Sequence, residues 1–250
     1  MHLRRPALAL AILLLPLAAS AQDLATTCHA TSSYDLTVAP DHLLFDRPQP
    51  SPRQVELRDG SLRSDGAPVR LGSEDQDRLA LFERELRALM PRVKAVATQG
   101  VDLLASAMHD EGARLSLAPD TRAELDRRLA SRAAELKQRI ASTTSTHDWQ
   151  GNLADAYANQ LAADLMPLLA NDLGQQALQA AMTGDLQTAA RLRDTATDLT
   201  TELRPRLEQR MRALQPQVQA LCPAVRRLAE LQEGIRGGGG QALNLLEVGQ

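Results

Sequence analysis

The segment SEDQDRLALFERELRALMPRVKAVATQGVDLLASAM, at residues 73–108, decides the fold of this chain. Its apolar or small residues are three and four positions apart, the spacing of a coiled-coil-like helical seam. Ser73 followed by Gln76 is a capping box, and Pro91 should kink the helix or split it. The seam residues are Leu79, Phe82, Leu86, Leu89, Val93, Val96, Gly100, Leu103 and Ala107.

Three further helical patterns follow this seam. They cover about 119–142, 148–183 and 186–235. The last pattern would span about 75 Å as one uninterrupted helix. Because it contains Pro205, Pro216 and Pro223, we expect it to be bent or segmented. Heptad-like stripes within one chain most often pair with each other, so we expect these helices to form a bundle.

Residues 31–71 have a different pattern, in which short alternating apolar stretches are separated by turns. Asp59-Gly60 and Asp65-Gly66 provide residues that accept a positive φ where hairpins reverse. Three prolines at 48, 50 and 52 interrupt the pattern with an extended loop. We predict a small antiparallel β meander.

These patterns together predict a mainly α fold, an elongated bundle of kinked antiparallel helices with a small N-terminal β meander. The domain would cover residues 22–236, with its β region at about 31–71. A glycine-rich linker and a short apolar tail would follow at 237–250. Since the apolar tail is unfavourable in water, we favour docking near the sheet over a free peptide offered to a partner.

Residues 1–21 have the pattern of a secretory signal peptide. Arg4 and Arg5 precede an apolar run at 7–19, and Ala19-Ser20-Ala21 places small residues at the signal-peptidase positions. The run is too short and wrongly flanked for a membrane span. We predict cleavage after Ala21, a bacterial periplasmic location and no membrane span in the mature chain.

Cys28 and Cys222 are the only two cysteines. In an oxidising compartment such a pair favours a disulfide. It would close a loop of nearly the whole domain, for which the chain-entropy argument gives a stabilisation of at most about 5 kcal/mol. The alternative is a redox or metal-binding thiol, although neither cysteine lies in a Cys-x-x-Cys pair.

Charge and composition argue against nucleic acid as a partner. The formal net charge is −3, and it becomes −5 without residues 1–21, which contain two arginines and no acidic residue. A nucleic-acid-binding domain usually has the opposite sign. Five aromatic residues in the whole chain also make base-stacking platforms and aromatic sugar subsites improbable.

Two histidines are candidates for chemistry. His109, beside Asp110 and Glu111, could hold a cation, but a histidine near a helix C-terminus is already explained by the helix dipole. His147 and Asp148 could act as a general base and its orienting acid. Asp148 is more simply an N-cap, with Trp149 as the first core residue of its helix.

Other chemical motifs are missing from the sequence. No two mature histidines have the spacing of a helical metal site. No Gly-x-Ser-x-Gly elbow exists, and Lys94 and Lys137 offer no Ser-x-x-Lys pair. Gly237–Gly240 lack the Gly-Lys-Ser/Thr ending of a phosphate loop. We therefore assign no catalytic, cofactor-binding or metal-ligating residue and expect no cofactor.

The densest basic cluster consists of Arg204, Arg206, Arg210 and Arg212. It could meet an anionic lipid or a cell-wall polymer. Two glutamates of the same helix partly neutralise it, so a solvated helix face is the favoured interpretation.

Several short motifs carry a resemblance to a known family. They are Cys28, Val38-Ala39-Pro40 with Leu43 and Phe45, Gly60-Ser61-Leu62, Asp65-Gly66, Leu71 leading into Leu79, Phe82 to Arg87, Pro91 and Cys222-Pro223. In this order they resemble the YggN-like family of bacterial periplasmic proteins, a domain of unknown function. The resemblance covers nearly the whole mature chain. It implies periplasmic residence and brings no activity or site residues.

We therefore expect a non-enzymatic binding or structural protein of the cell envelope, with an envelope protein or polymer as its partner. Two alternatives remain open: a carrier of a small lipid or apolar ligand between helices, and an enzyme with an unrecognised site. A deep enclosed cavity would favour the carrier, and clustered perturbed carboxylates in a cleft would favour the enzyme.

Overall fold

The computed structural model describes residues 26–149 and 153–249, and the predicted signal peptide lies outside them. The strands are β1 Ala30–Thr31, β2 Asp35–Val38, β3 Leu43–Asp46, β4 Gln54–Arg58, β5 Ser61–Ser64, β6 Ala67–Val69 and β7 Glu247–Val248. The helices are α1 Ser73–Arg114, α2 Pro119–Ser142, α3 Leu153–Met182, α4 Leu186–Met211, α5 Gln215–Gln219 and α6 Cys222–Gln232. The fold is mainly helical with an N-terminal antiparallel sheet, which confirms the predicted class at that level.

The sheet is an antiparallel meander in the order β2-β3-β4-β5-β6. Leu57 lies opposite Leu62 across the turn between β4 and β5. Asp59 and Gly60 have φ values of 48° and 76° there, as the Asp-Gly pattern predicts. A Cβ on Gly60 would lie 2.4 Å from the Gln76 carbonyl oxygen, so glycine is required where this turn touches α1.

Glu83 joins the same turn to α1. Its carboxylate accepts hydrogen bonds from the backbone N–H groups of Gly60, at 3.0 Å, and Asp59, at 3.3 Å. Burial of this carboxyl group raises its pKa, against the opposing effect of the two hydrogen bonds. The first three turns of α1 are therefore fixed to the sheet by backbone contact at Gln76 and side-chain contact at Glu83.

The largest core lies between the sheet, the N-terminal part of α1, α6 and the C-terminal tail. We call this unit the sheet module. Phe82 of α1 packs near Phe45 of β3, with ring centroids 6.2 Å apart. The fully buried side chains of the sheet module are Leu43, Val55, Leu57, Leu62, Leu79, Phe82, Leu228, Ile235 and Leu245.

Helix α1 runs through Pro91 without being split. A proline inside a helix removes one backbone hydrogen bond. Leu89 is buried in the core, and Val93 packs against it, so apolar packing continues across the proline. Pro205 is likewise inside α4, whereas Pro216 and Pro223 lie in the first turns of α5 and α6. In the first turn of a helix the backbone N–H has no partner within the helix, so a proline costs no hydrogen bond there. The predicted segmentation of the last helical pattern is confirmed at these two prolines.

The second core holds the remaining helices together. We call α3, α4 and the turn at 183–185 between them the hairpin arm. Gly112 of α1 permits a close approach here, because a Cβ on it would lie 2.6 Å from Cδ2 of Leu125 in α2. The buried residues of this core are Leu115, Leu117, Leu125, Leu129, Leu165, Leu169 and Leu173. A third small cluster, of Val101, Leu136 and Ile140, joins α1 to α2.

Candidate functional site

The three most exposed large apolar side chains of the described residues lie on the helix ends that flank the turn of the hairpin arm. Leu178 is 62% exposed, Met182 79% and Leu186 71%. Leu178 and Met182 are one helical turn apart on α3 and therefore share a face. Leu186 is the first residue of α4, directly after the turn. We call this surface the apolar tip.

The apolar tip also lacks charge. Residues 173–190 contain one charged side chain, Asp185, whereas the 24% charged content of the whole chain would place about four in a stretch of this length. Gln179 and Gln187 are exposed on the two helices. Solvated helix faces are usually rich in charged residues, so this composition departs from that of an ordinary exposed hairpin.

Local hydrogen bonds fix the shape of the tip. Gly184 has a φ of 79°, which favours glycine, and its N–H donates to the Ala181 carbonyl at 3.1 Å. The Asp185 carboxylate accepts from the Thr188 N–H at 3.0 Å and caps α4. Hydrogen bonding to Thr188 lowers the pKa of Asp185, so its charge is compensated by the start of the helix. The apolar side chains thus project from an ordered turn.

The root of the arm, by contrast, is tied to its neighbours by polar contacts. The Asp172 carboxylate accepts from the Ala118 N–H at 3.1 Å and from the Thr121 hydroxyl at 3.0 Å. Arg128 of α2 donates to the Asp164 carbonyl at 2.6 Å, and Arg132 pairs with the Asp164 side chain. These contacts hold the arm at its base and leave the turn exposed.

The arrangement around His109 differs from that of the cation site considered from the sequence. His109 Nδ1 lies 2.7 Å from the Asp126 carboxylate. Asp110 pairs with Arg210 at 3.2 Å, and Glu111 pairs with Arg206 at 3.0 Å. The described part of the chain holds no cluster of three histidine, cysteine or acidic side chains that could bind a metal. Arg206 and Arg210 of the basic cluster thus form ion pairs with carboxylates of α1. The side chain of Arg204 lies outside the described residues.

The pair of His147 and Asp148 belongs to the edge of the sheet. Backbone groups of residues 143–146 cover β2, with the Val38 N–H donating to the Thr144 carbonyl at 2.8 Å. His147 is exposed and lies 3.3 Å from Asp35, while Asp148 accepts from the Thr143 hydroxyl at 2.7 Å. Asp148, the expected N-cap, therefore bonds to Thr143 within this loop instead. The side chain of Trp149 lies outside the described residues.

Cys28 and Cys222 are joined by a disulfide, as predicted, with Cα atoms 5.1 Å apart. The bond fixes the start of α6 to the segment before β1. Both cysteines are 5% exposed and belong to the core of the sheet module. The disulfide is therefore a structural element of that module.

The C-terminal tail is docked, as favoured from the sequence. Leu243 and Leu245 are 4% and 1% exposed. The buried Gln232 side chain accepts from the Leu245 N–H at 2.9 Å, and β7 pairs with β1 in a separate two-stranded sheet. Residues 237–240, predicted as a linker, form a turn closed by a 2.8 Å bond from the Gly237 N–H to the Gln241 carbonyl. The tail pairs with β1 and adds no strand to the five-stranded sheet.

A model of a protein family described as "Protein of unknown function (DUF2884)" matches residues 28–238. The chain belongs to this family. The resemblance found in the sequence, to a domain of unknown function, is thereby confirmed at that level, while the YggN-like name stays a prediction. No curated protein and no solved structure matches the chain.

The helices of the described residues include none that is long and apolar enough to cross a lipid bilayer. Two cavities, of about 400 and 440 Å³, are open to solvent and lined largely by polar and charged residues. Neither has the enclosed apolar form expected of a carrier.

The sequence pattern does not distinguish the apolar tip from a buried helix face. Its leucines and methionine continue the apolar pattern of the third helix, so they resemble core positions. The signal in the sequence was the low charge of residues 173–190, with Asp185 as their one charged side chain, because a paired surface helix normally has an apolar face and a charged face.

Proposed function

We propose that this protein is a non-enzymatic binding protein of the bacterial envelope that contacts a protein partner through its apolar tip. The observation that supports this function is the exposure of Leu178, Met182 and Leu186 together on one ordered turn. Exposed apolar patches on soluble domains commonly mark interaction sites.

The charge of the tip favours a protein over a membrane as the partner. Membrane-surface helices combine an apolar face with lysine and arginine that meet anionic lipid. Residues 173–190 contain no basic residue, and their single charge is the acidic Asp185. An uncharged, partly apolar protein surface fits this composition, and the amides of Gln179 and Gln187 can hydrogen-bond at its rim.

The size of the tip indicates a weak and reversible contact. Full burial of a leucine or methionine side chain contributes about 1.5–3 kcal/mol. For the exposed fractions of the three side chains this amounts to roughly 3–6 kcal/mol. Association itself costs about 4–15 kcal/mol. The three side chains therefore act as anchors within a larger contact.

Location and shape belong to the same proposal. The pattern of residues 1–21 supports secretion into the periplasm, where the disulfide would be stable. The 42 residues of α1 span about 63 Å, which supports an elongated bundle. Pro91 in α1 and Pro205 in α4 are the positions at which we expect kinks. Small-angle scattering should then give a radius of gyration above the roughly 17 Å of a compact domain of this length. A value near 17 Å would contradict the elongated shape.

Site-specific photocrosslinking in intact cells tests the proposed contact. A probe at Gln179 should capture a protein, whereas a matched probe at the exposed Arg127 of α2 should not. The captured protein, once purified, should bind the purified chain. Equal capture at both positions, or a lipid adduct at Gln179 alone, would contradict a protein-binding tip. Fractionation of the same cells tests the periplasmic location independently.

A further inference from the structure

A second surface of the molecule carries a different chemistry. A cavity of about 440 Å³ lies between α1 and the C-terminal part of α4. Arg114, Arg206 and Arg210 line it together with Glu111, Gln209 and Leu103. The α4 residues that line the cavity begin at Arg206, more than 20 positions after the turn of the hairpin arm. The cavity is therefore separate from the apolar tip.

A buried carboxylate organises two of the three arginines. Glu111 is 8% exposed. Its Oε1 accepts from Arg114 Nη1 at 2.6 Å, and its Oε2 accepts from Arg206 Nη1 at 3.0 Å. Both carboxylate oxygens are thus occupied by guanidinium groups from two different helices. This arrangement fixes the two groups before any ligand arrives, which lowers the entropic cost of binding.

The three guanidinium groups retain hydrogen-bonding capacity. Each arginine has five N–H donors. Within the described residues, Arg114 and Arg206 each donate to Glu111, and Arg210 donates to Asp110 at 3.2 Å. All three side chains are about half exposed, at 57%, 46% and 49%. Each guanidinium group therefore keeps donors beyond those that these hydrogen bonds use, and all three side chains line the cavity.

The local charge is positive although the chain as a whole is acidic. The lining contains three arginines and one carboxylate, Glu111, whereas the formal net charge of the chain is −3. The two α4 glutamates that partly neutralise the basic cluster, Glu202 and Glu208, lie outside this lining. Exposed ion pairs contribute little to stability. Pairing Glu111 and Asp110 would require two cations, and the site has three arginines. The third guanidinium therefore gives the cavity a net attraction for an anion.

We infer that this cavity binds a phosphate ester. Guanidinium groups bind phosphate through paired N–H donors, and three of them can approach a tetrahedral group from different sides. The cavity is larger than a phosphate group, and Leu103 provides an apolar wall for the attached organic group. Such a ligand could be a soluble ester or the headgroup of an anionic lipid, since both present the same chemistry.

Isothermal titration calorimetry of the full chain with glycerol 3-phosphate tests the inference. The main variant is Arg210→Gln, because its partner Asp110 is half exposed and no buried charge is left unpaired. We expect binding that weakens about tenfold in this variant and further with added salt. The matched control is Arg193→Gln, on the same helix and outside the cavity, which should bind within about twofold of the unaltered chain.

Vesicles distinguish the two sources of the ester. Binding to phosphatidylglycerol vesicles that is lost in Arg210→Gln, and absent with phosphatidylcholine vesicles, would identify a lipid headgroup as the ligand. Glycerol 3-phosphate binding without vesicle binding would identify a soluble ester. The inference is wrong if neither probe binds at millimolar concentration, or if both arginine variants weaken binding equally.

Discussion

The sheet module and the hairpin arm bury their apolar residues to very different extents. The module encloses a core of nineteen buried residues, which the disulfide and the docked tail close. The arm contributes three of the seven buried residues of the second core, Leu165, Leu169 and Leu173, and ends in three exposed apolar side chains. The comparison indicates that the module supplies stability, while the end of the arm is available for contact with another molecule.

Polar contacts follow the same division. In the module, buried Glu83 and Gln232 bind backbone groups of the sheet turn and of the tail. At the apolar tip, the polar bonds join the turn to the adjoining ends of α3 and α4. A change in the module should therefore affect folding, and a change at the tip should affect binding alone.

Removal of the tail should have the largest effect on stability. A stop after Arg236 removes Leu243 and Leu245, which are almost fully buried. Loss of one buried leucine side chain costs about 2–5 kcal/mol, so we expect a loss of at least about 4 kcal/mol in the free energy of unfolding. Guanidinium denaturation measures it. A stop after Val248, which keeps both leucines and β7, is the control, and an unchanged midpoint after the longer deletion would contradict docking.

Loss of the disulfide should come next. Replacing Cys28 and Cys222 together by serine should lower the free energy of unfolding by about 2–5 kcal/mol, because the unfolded chain gains freedom. Denaturation of the oxidised chain and the double variant at equal pH gives the difference. A loss below about 1 kcal/mol would show that the module does not depend on this bond.

A matched pair of leucine substitutions compares the two regions directly. Leu57 is fully buried in β4, and Leu178 is exposed at the tip. Leu57→Ala should cost about 2–5 kcal/mol, and Leu178→Ala should change stability by no more than about 0.5 kcal/mol. Equal losses in the two variants would mean that the tip is packed in solution.

Among the changes in the sheet module, Glu83→Gln should give the smallest effect, which depends on pH. Burial raises the pKa of Glu83 in the folded chain above its unfolded value. The stability contributed by its protonated form is therefore complete below the unfolded pKa, near 4.3, and is lost as the pH rises through the folded pKa. Between pH 4 and 7 the unaltered chain should lose stability relative to Glu83→Gln. Parallel stability curves for the two proteins would contradict this assignment.

Sequence patterns predicted the elements that depend on local periodicity. The three- and four-residue spacing predicted α1, and the Asp-Gly turns predicted the hairpins of the sheet. The disulfide followed from the number of cysteines and the predicted compartment. The sequence could not show that α1 continues through Pro91, because this depends on packing of distant residues on both sides.

The candidate surfaces could not be predicted in the same way. Leu178 and Met182 have the spacing of core residues, and only the tertiary packing leaves them exposed. Glu111 and Arg206 are 95 positions apart in the chain, so their contact depends on how α1 and α4 meet. The turn at residues 237–240 likewise depends on burial of the leucines that follow it.

We propose that the apolar tip serves binding and contributes little to folding. The most direct measurement combines two readouts on the triple variant Leu178→Ser, Met182→Ser and Leu186→Ser with a photocrosslinker at Gln179. We predict a denaturation midpoint equal to that of the unaltered chain, together with loss of the protein adduct. A lowered midpoint, or an adduct that persists in the folded variant, would contradict the account.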